Sequence, residues 1–154
     1  MGQQITKDYG GEPLYVCCIL KGAFVFTADL IRHIDCPIRV DFIRLASYGK
    51  NTTSSGEVKI TKDVELPFKG CHVLVVEDIV DTGFTLKFLV ERLKLHEPES
   101  VRICALLDKK ARREVEVNVD YIGFDIPDKF VIGYGVDYAE EYRQLPGIYY
   151  IESE

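Results

Sequence analysis

The stretch from Val73 to Leu86, reading Val-Leu-Val-Val-Glu-Asp-Ile-Val-Asp-Thr-Gly-Phe-Thr-Leu, leaves this chain few architectures to fold into. The branched apolar run Val73 to Val76 carries no polar alternation, so it suits a strand buried on both faces, the kind found inside a parallel sheet. Glu77 and Asp78 follow at once, at the strand's carboxyl edge. Asp81-Thr82-Gly83-Phe84-Thr85 then makes a short turn, after which Leu86, Leu89, Val90 and Leu93 recur at helical spacing. The order is strand, acidic edge, tight turn, helix, which is one step of an α/β fold.

A turn that opens a helix gathers free backbone N–H groups at the positive end of the helix dipole, and such a place holds phosphate. Thr82 and Thr85 add hydroxyl donors, and Gly83 lets the backbone come close. Glu77 and Asp78 are placed to accept from sugar hydroxyls, with Asp81 directed further along a ligand. Local pattern leaves a plainer alternative open, in which Asp81 or Thr82 caps the helix and the acids are solvated.

The other segments extend the pattern. Leu14 to Leu20 is a second buried strand, followed by Lys21-Gly22-Ala23 and an apolar helix predicted over Phe24 to Ile34, ended by Pro37. Met1 to Gly11 reads as the tail of a helix stopped by Gly10-Gly11. Arg39 to Ala46 alternates as a half-exposed strand does. Ser47 to Gly56 is small, polar and aperiodic, a loop leading into a strand at Glu57 to Ile60. Val101 to Leu107 is a further buried strand, and the charge run Asp108 to Arg113 after it has the composition of a solvated turn. Ile148 to Ile151 is a last short strand.

These residues resemble a known family. Glu-Asp-Ile-Val-Asp-Thr-Gly-x-Thr after a Val-rich strand is similar to the phosphoribosyl-pyrophosphate motif of the type I phosphoribosyltransferases. Leu20-Lys21-Gly22-Ala23, and Tyr121 to Asp137 with its Ile-Pro-Asp-Lys-Phe-Val core, narrow the resemblance to the hypoxanthine-guanine branch. It runs from about Leu14 to the carboxyl end.

The resemblance implies a type I phosphoribosyltransferase fold: a mainly parallel central sheet flanked by helices, with a small hood or lid, in one domain over 1–154. It implies purine salvage, joining a 6-oxopurine (hypoxanthine or guanine) to phosphoribosyl pyrophosphate. Asp81 would be the catalytic base. Glu77, Asp78, Asp81, Thr82, Gly83, Phe84 and Thr85 would bind ribose and 5′-phosphate; Phe84 stands where relatives carry lysine or leucine. Lys21, Gly22 and Arg143 would bind pyrophosphate, across a Leu20–Lys21 bond that can be cis in this family. Ser47 and Tyr48 would ride on a lid. Lys109, Lys129, Phe130, Val131 and Asp137 would surround the purine, with Lys109 on its 6-oxo group and Phe130 stacked on the ring. Glu77, Asp78 and Asp137 would hold Mg2+. The resemblance further implies a homodimer or homotetramer, and a late start, with the family's usual first strand and much of its first helix missing.

Composition excludes several other classes. A net charge of −6 disfavours a nucleic-acid surface, and with it an RNA-binding regulator on the same scaffold. The 5 cysteines, odd in number and without Cys-x-x-Cys spacing, read as reduced thiols of a cytoplasmic protein. His33, His72 and His96 lack zinc-ligand spacing. No apolar run approaches the roughly 20 residues of a membrane helix, and neither the dinucleotide-binding nor the P-loop glycine pattern occurs.

Overall fold

The computed structural model describes residues 1–48 and 57–152. In chain order the elements are α1 (Gly2–Tyr9), β1 (Leu14–Leu20), α2 (Phe24–Ile31), β2 (Ile38–Tyr48), β3 (Glu57–Lys62), β4 (His72–Val80), α3 (Phe84–Lys94), β5 (Ser100–Asp108), a 3-10 turn at Lys110–Arg112, β6 (Tyr121–Asp125), β7 (Val131–Ile132) and β8 (Tyr149–Tyr150). Among the described residues, six strands form one sheet in the order β3-β2-β1-β4-β5-β6, and β7 pairs with β8 in a separate ribbon. Every neighbouring pair in the large sheet is parallel except β2 with β3.

The unbroken apolar runs occupy the middle of this sheet. Alternate residues of β1, β4 and β5 point to opposite faces, and each face has its own core. Val16, Leu74, Val76, Cys104 and Leu106 pack with Ile5 and Tyr9 of α1 and Phe26 and Leu30 of α2. Tyr15, Cys17, Val73, Val75, Ile103 and Ala105 pack with Leu86, Leu89 and Leu93 of α3 and with Phe68. The strands are therefore covered on both sides, which is why their sequences lack polar alternation.

Three boundaries differ from the sequence expectation. β4 continues past Val76 to Val80, because the Glu77 side chain is buried rather than marking the strand's exit. Helix α2 stops at Ile31, well before Pro37, and the chain turns through Arg32 to Asp35, where the Asp35 N–H donates to the Thr6 hydroxyl at 2.9 Å. Phe24, at its start, is 44% exposed, so burial does not extend round most of this helix. Ser47 and Tyr48 lie at the end of β2, paired with Val58 and Glu57, because β3 offers them a partner; the remainder of the predicted loop lies outside the described residues. Helix α1 ends as expected at Gly10, in the left-handed conformation with φ 58°. The five cysteines are free, and among the described residues no helix is long and apolar enough to cross a membrane.

Candidate active site

In open parallel sheets, ligands bind beyond the carboxyl ends of the strands, and here β1, β4 and β5 bring their charged residues to that edge. From β1 emerges Lys21-Gly22-Ala23, entered through a cis Leu20–Lys21 peptide bond. From β4 come Glu77 and Asp78, then the turn Asp81-Thr82-Gly83. From β5 come Asp108 and Lys109.

Glu77 is buried, and burial pushes its carboxyl well above the ordinary glutamate range, with the Asp78 charge adding to the effect. Its Oε1 accepts from the Asp78 N–H at 2.9 Å, and Asp78 Oδ1 in turn accepts from the Ile79 N–H at 2.7 Å. The other Asp78 oxygen lies against Gly22, so the exits of β1 and β4 meet in van der Waals contact. The turn runs into α3 through Gly83, at φ 95°, with no side-chain capping bond. Asp81 and Thr82 are therefore not used up as helix caps. The Thr82 carbonyl accepts from the N–H groups of Glu114 and Val115, at 3.0 and 3.2 Å, which ties the turn to the segment after β5.

That segment departs from the solvated turn expected for its charges. Lys109 is only 9% exposed, its N–H bonded to the Val80 carbonyl at 2.9 Å and its Nζ 5.8 Å from the centre of the Phe130 ring. Arg113 donates to the buried carboxylate of Asp108, and its Nε donates to the Asp81 carbonyl at 3.1 Å. Arg112 Nε donates to Asp81 Oδ1 at 3.1 Å, a bond that raises the Arg112 pKa further. Lys110, paired with Asp125 at 2.9 Å, and Arg112 stay exposed as expected. The sequence suggests nothing for Asp108, Arg112 and Arg113 beyond a solvated turn; the one signal for Asp108 is its position at the end of an apolar strand.

Phe130 is 71% exposed, and Val131 beside it is buried in the β7–β8 ribbon opposite Tyr150. Lys129 reaches back over the Tyr150 ring at 5.2 Å. Beyond the ribbon the chain returns to the β1 exit, where Gly135, at φ 95°, passes so near the Gly22 carbonyl that a Cβ would meet it at 2.6 Å. Arg143 Nη1 donates to the Gly135 carbonyl at 2.7 Å, and its Nη2 lies 3.3 Å from Asp137 and 3.4 Å from Glu140. Glu140 also pairs with Lys21 at 2.7 Å, and this bond holds its carboxyl below the usual range. One carboxylate thus rests on both cations expected to grip pyrophosphate.

The carboxylates expected to hold Mg2+ fall into two places. Glu77 and Asp78 are adjacent, whereas Asp137 is engaged by Arg143 and by the Glu140 N–H at 2.8 Å. Among the described residues no three acidic, histidine or cysteine side chains converge on one point. Such a donor set suits magnesium, which keeps waters and takes one or two carboxylates plus substrate phosphates. Buried Glu77 and half-buried Asp78 repel one another, and a divalent cation would discharge the pair. Ser47 lies at the end of β2, where it is exposed.

Comparison with known proteins identifies the family. A phosphoribosyl transferase domain model matches residues 1–139. The chain is 50% identical over 148 residues to a hypoxanthine phosphoribosyltransferase of Haemophilus influenzae, covering 94% of this chain and 83% of the relative. It is 46% identical over 148 residues to a hypoxanthine-guanine phosphoribosyltransferase of Bacillus subtilis, covering 96% and 82%. A crystal structure of a Bacillus anthracis hypoxanthine-guanine phosphoribosyltransferase superposes with TM-score 0.94 at 48% identity, over 98% of this chain and 89% of that one. With motif, sheet order and near full-length similarity in agreement, the chain belongs to the hypoxanthine-guanine phosphoribosyltransferase family, with the type I phosphoribosyltransferase fold.

Proposed function

We propose that this chain transfers the 5-phosphoribosyl group of phosphoribosyl pyrophosphate to N9 of hypoxanthine or guanine, forming the nucleoside monophosphate and pyrophosphate. The observation that carries the reading is the shared sheet edge, where a phosphate-type turn, the adjacent acids Glu77 and Asp78, the first of them buried, and a lysine beside an exposed aromatic ring all meet. Net charge −6 and the retained Asp81 speak against a regulator that grips RNA.

In this reading the turn from Asp81 to Thr85 binds the 5′-phosphate through backbone N–H groups and the two threonine hydroxyls. That remote grip fixes C1 of the ribose against the base, so binding energy is spent on orientation. Lys21, Gly22 and Arg143 receive the pyrophosphate, which must displace Glu140 from both cations. The base stacks on Phe130, next to Lys129 and the backbone of Val131, and Lys109 donates to the 6-oxo oxygen. Adenine carries an amino group there and cannot accept from an ammonium. The C1–N9 bond forms as the C1–oxygen bond to pyrophosphate breaks, and the Asp81 carboxylate accepts the proton leaving N7.

Glu77 and Asp78, assisted by Asp137, would hold Mg2+, which when bound neutralises the leaving pyrophosphate. Ser47 and Tyr48, at the start of the predicted lid, would help keep water from a cationic sugar. Free cysteines support a reducing, cytoplasmic setting. Self-association as a homodimer or homotetramer, which the family resemblance implies, completes the proposal.

The test is an absorbance assay of the purified chain with each purine, phosphoribosyl pyrophosphate and magnesium. Turnover is expected with hypoxanthine and guanine and not with adenine; absence of turnover with any 6-oxopurine overturns the reading.

A further inference from the structure

Arg112 and Arg113 are chain neighbours with different surroundings. Arg113 faces inward, binding the buried Asp108 carboxylate and the Asp81 carbonyl. With the Lys109 N–H on Val80 and the Glu114 and Val115 N–H groups on Thr82, it fixes the backbone on which Asp81 stands. None of these bonds touches the Asp81 carboxylate. Its orientation is left to Arg112, whose Nε donates to Oδ1 at 3.1 Å. The same guanidinium extends Nη1 to within 3.8 Å of Asp128 Oδ2.

Asp81 belongs to the turn assigned to the sugar phosphate, and Asp128 to the Ile126–Phe130 segment assigned to the purine. The two halves of the ligand are to be joined by one new bond, and a planar fork spans the protein segments that would carry them. We infer that Arg112 is a positioning residue for the reaction, aiming the Asp81 carboxylate and clipping the phosphate turn to the base-binding segment. This rests on the proposed role of Asp81. The charged groups around that carboxylate are Arg112 and Arg113, with Asp128 behind the first and Asp108 behind the second. Arg112 touches neither substrate in this scheme; its effect is exerted through Asp81, because a misaimed proton acceptor slows the step it serves.

The experiment is a double-mutant cycle of R112A and D81N on the full chain, measured with hypoxanthine, phosphoribosyl pyrophosphate and magnesium. R112A is expected to lower kcat roughly tenfold, with KM for phosphoribosyl pyrophosphate changed less than about twofold and Tm unchanged, since the pair is half exposed. Added to D81N, R112A is expected to cause no further loss. Three results overturn the inference alone while D81N stays slow: a parent-like kcat in R112A, an equal loss on the D81N background, or a fall in Tm that accounts for the loss. A fully active D81N removes the Asp81 role and this inference with it, and is distinguished because the single variant suffices to show it.

Discussion

A Cβ placed on Gly22 would meet Oδ2 of Asp78 at 1.8 Å and its Cγ at 2.6 Å, so the β1 exit and the acidic edge of β4 fit only with glycine at position 22. Moving Asp78 aside would break the bond that its Oδ1 accepts from the Ile79 N–H at 2.7 Å. Any side chain at position 22 must displace the carboxylate or the loop. G22A is expected to raise KM for phosphoribosyl pyrophosphate by at least about tenfold, measured by initial rates at saturating hypoxanthine. An unchanged KM would show that the contact yields without consequence.

The Arg113–Asp108 pair predicts a stability effect. Asp108 is 2% exposed, so R113A strands a buried carboxylate, at a cost of about 3–5 kcal/mol. The urea midpoint should fall accordingly. A midpoint within error of the parent would mean that Asp108 finds water or another donor.

Lys109 predicts a substrate effect without a stability effect of that size. Loss of one charged hydrogen bond, about 1.5–3 kcal/mol, corresponds to a KM for hypoxanthine raised tenfold or more in K109A. Steady-state kinetics with varied hypoxanthine decides it, and an unaltered KM refutes the assignment to the 6-oxo group.

Asp41 predicts a pH dependence. Burial alone would raise its carboxyl, but the Leu66 N–H, the Tyr15 hydroxyl and the Phe42 and Glu65 N–H groups outweigh it, and the carboxyl is held below the ordinary value of 3.8. A folded pKa below the unfolded one gives stability that is present above the unfolded value and lost as pH falls through the folded one. D41N, which keeps the shape without the charge, should be less stable than the parent by about 1–3 kcal/mol at pH 7. That gap should narrow below pH 3.8. Urea midpoints at pH 7 and pH 3 test this, and a constant gap contradicts it.

Much of this arrangement was legible before the structure. The runs at Leu14–Leu20 and Val73–Val76 read as central strands because burial on both faces removes polar alternation, a property written into local sequence. The end of β4 is hard to read for the same reason reversed. Glu77 and Asp78 look like a strand's exit, yet Glu77 is carried inside it, and no neighbour in sequence signals that burial. Charge pairings were the least legible. Asp108 to Arg113 has the composition of a solvated turn, and only the folded edge brings Arg112 to Asp81, thirty-one positions away in the chain, and Arg113 onto a buried aspartate. Glu140 resting on Lys21 and Arg143 likewise depends on the chain returning to the β1 exit through Gly135.

The most direct measurement is a crystal structure of the chain with inosine monophosphate. The account predicts the 5′-phosphate on the N–H groups and hydroxyls of residues 81–85, the ribose beside Glu77 and Asp78, and the purine on Phe130 with its oxo group at Lys109. A phosphate bound elsewhere, or that crevice empty at saturating nucleotide, would contradict it.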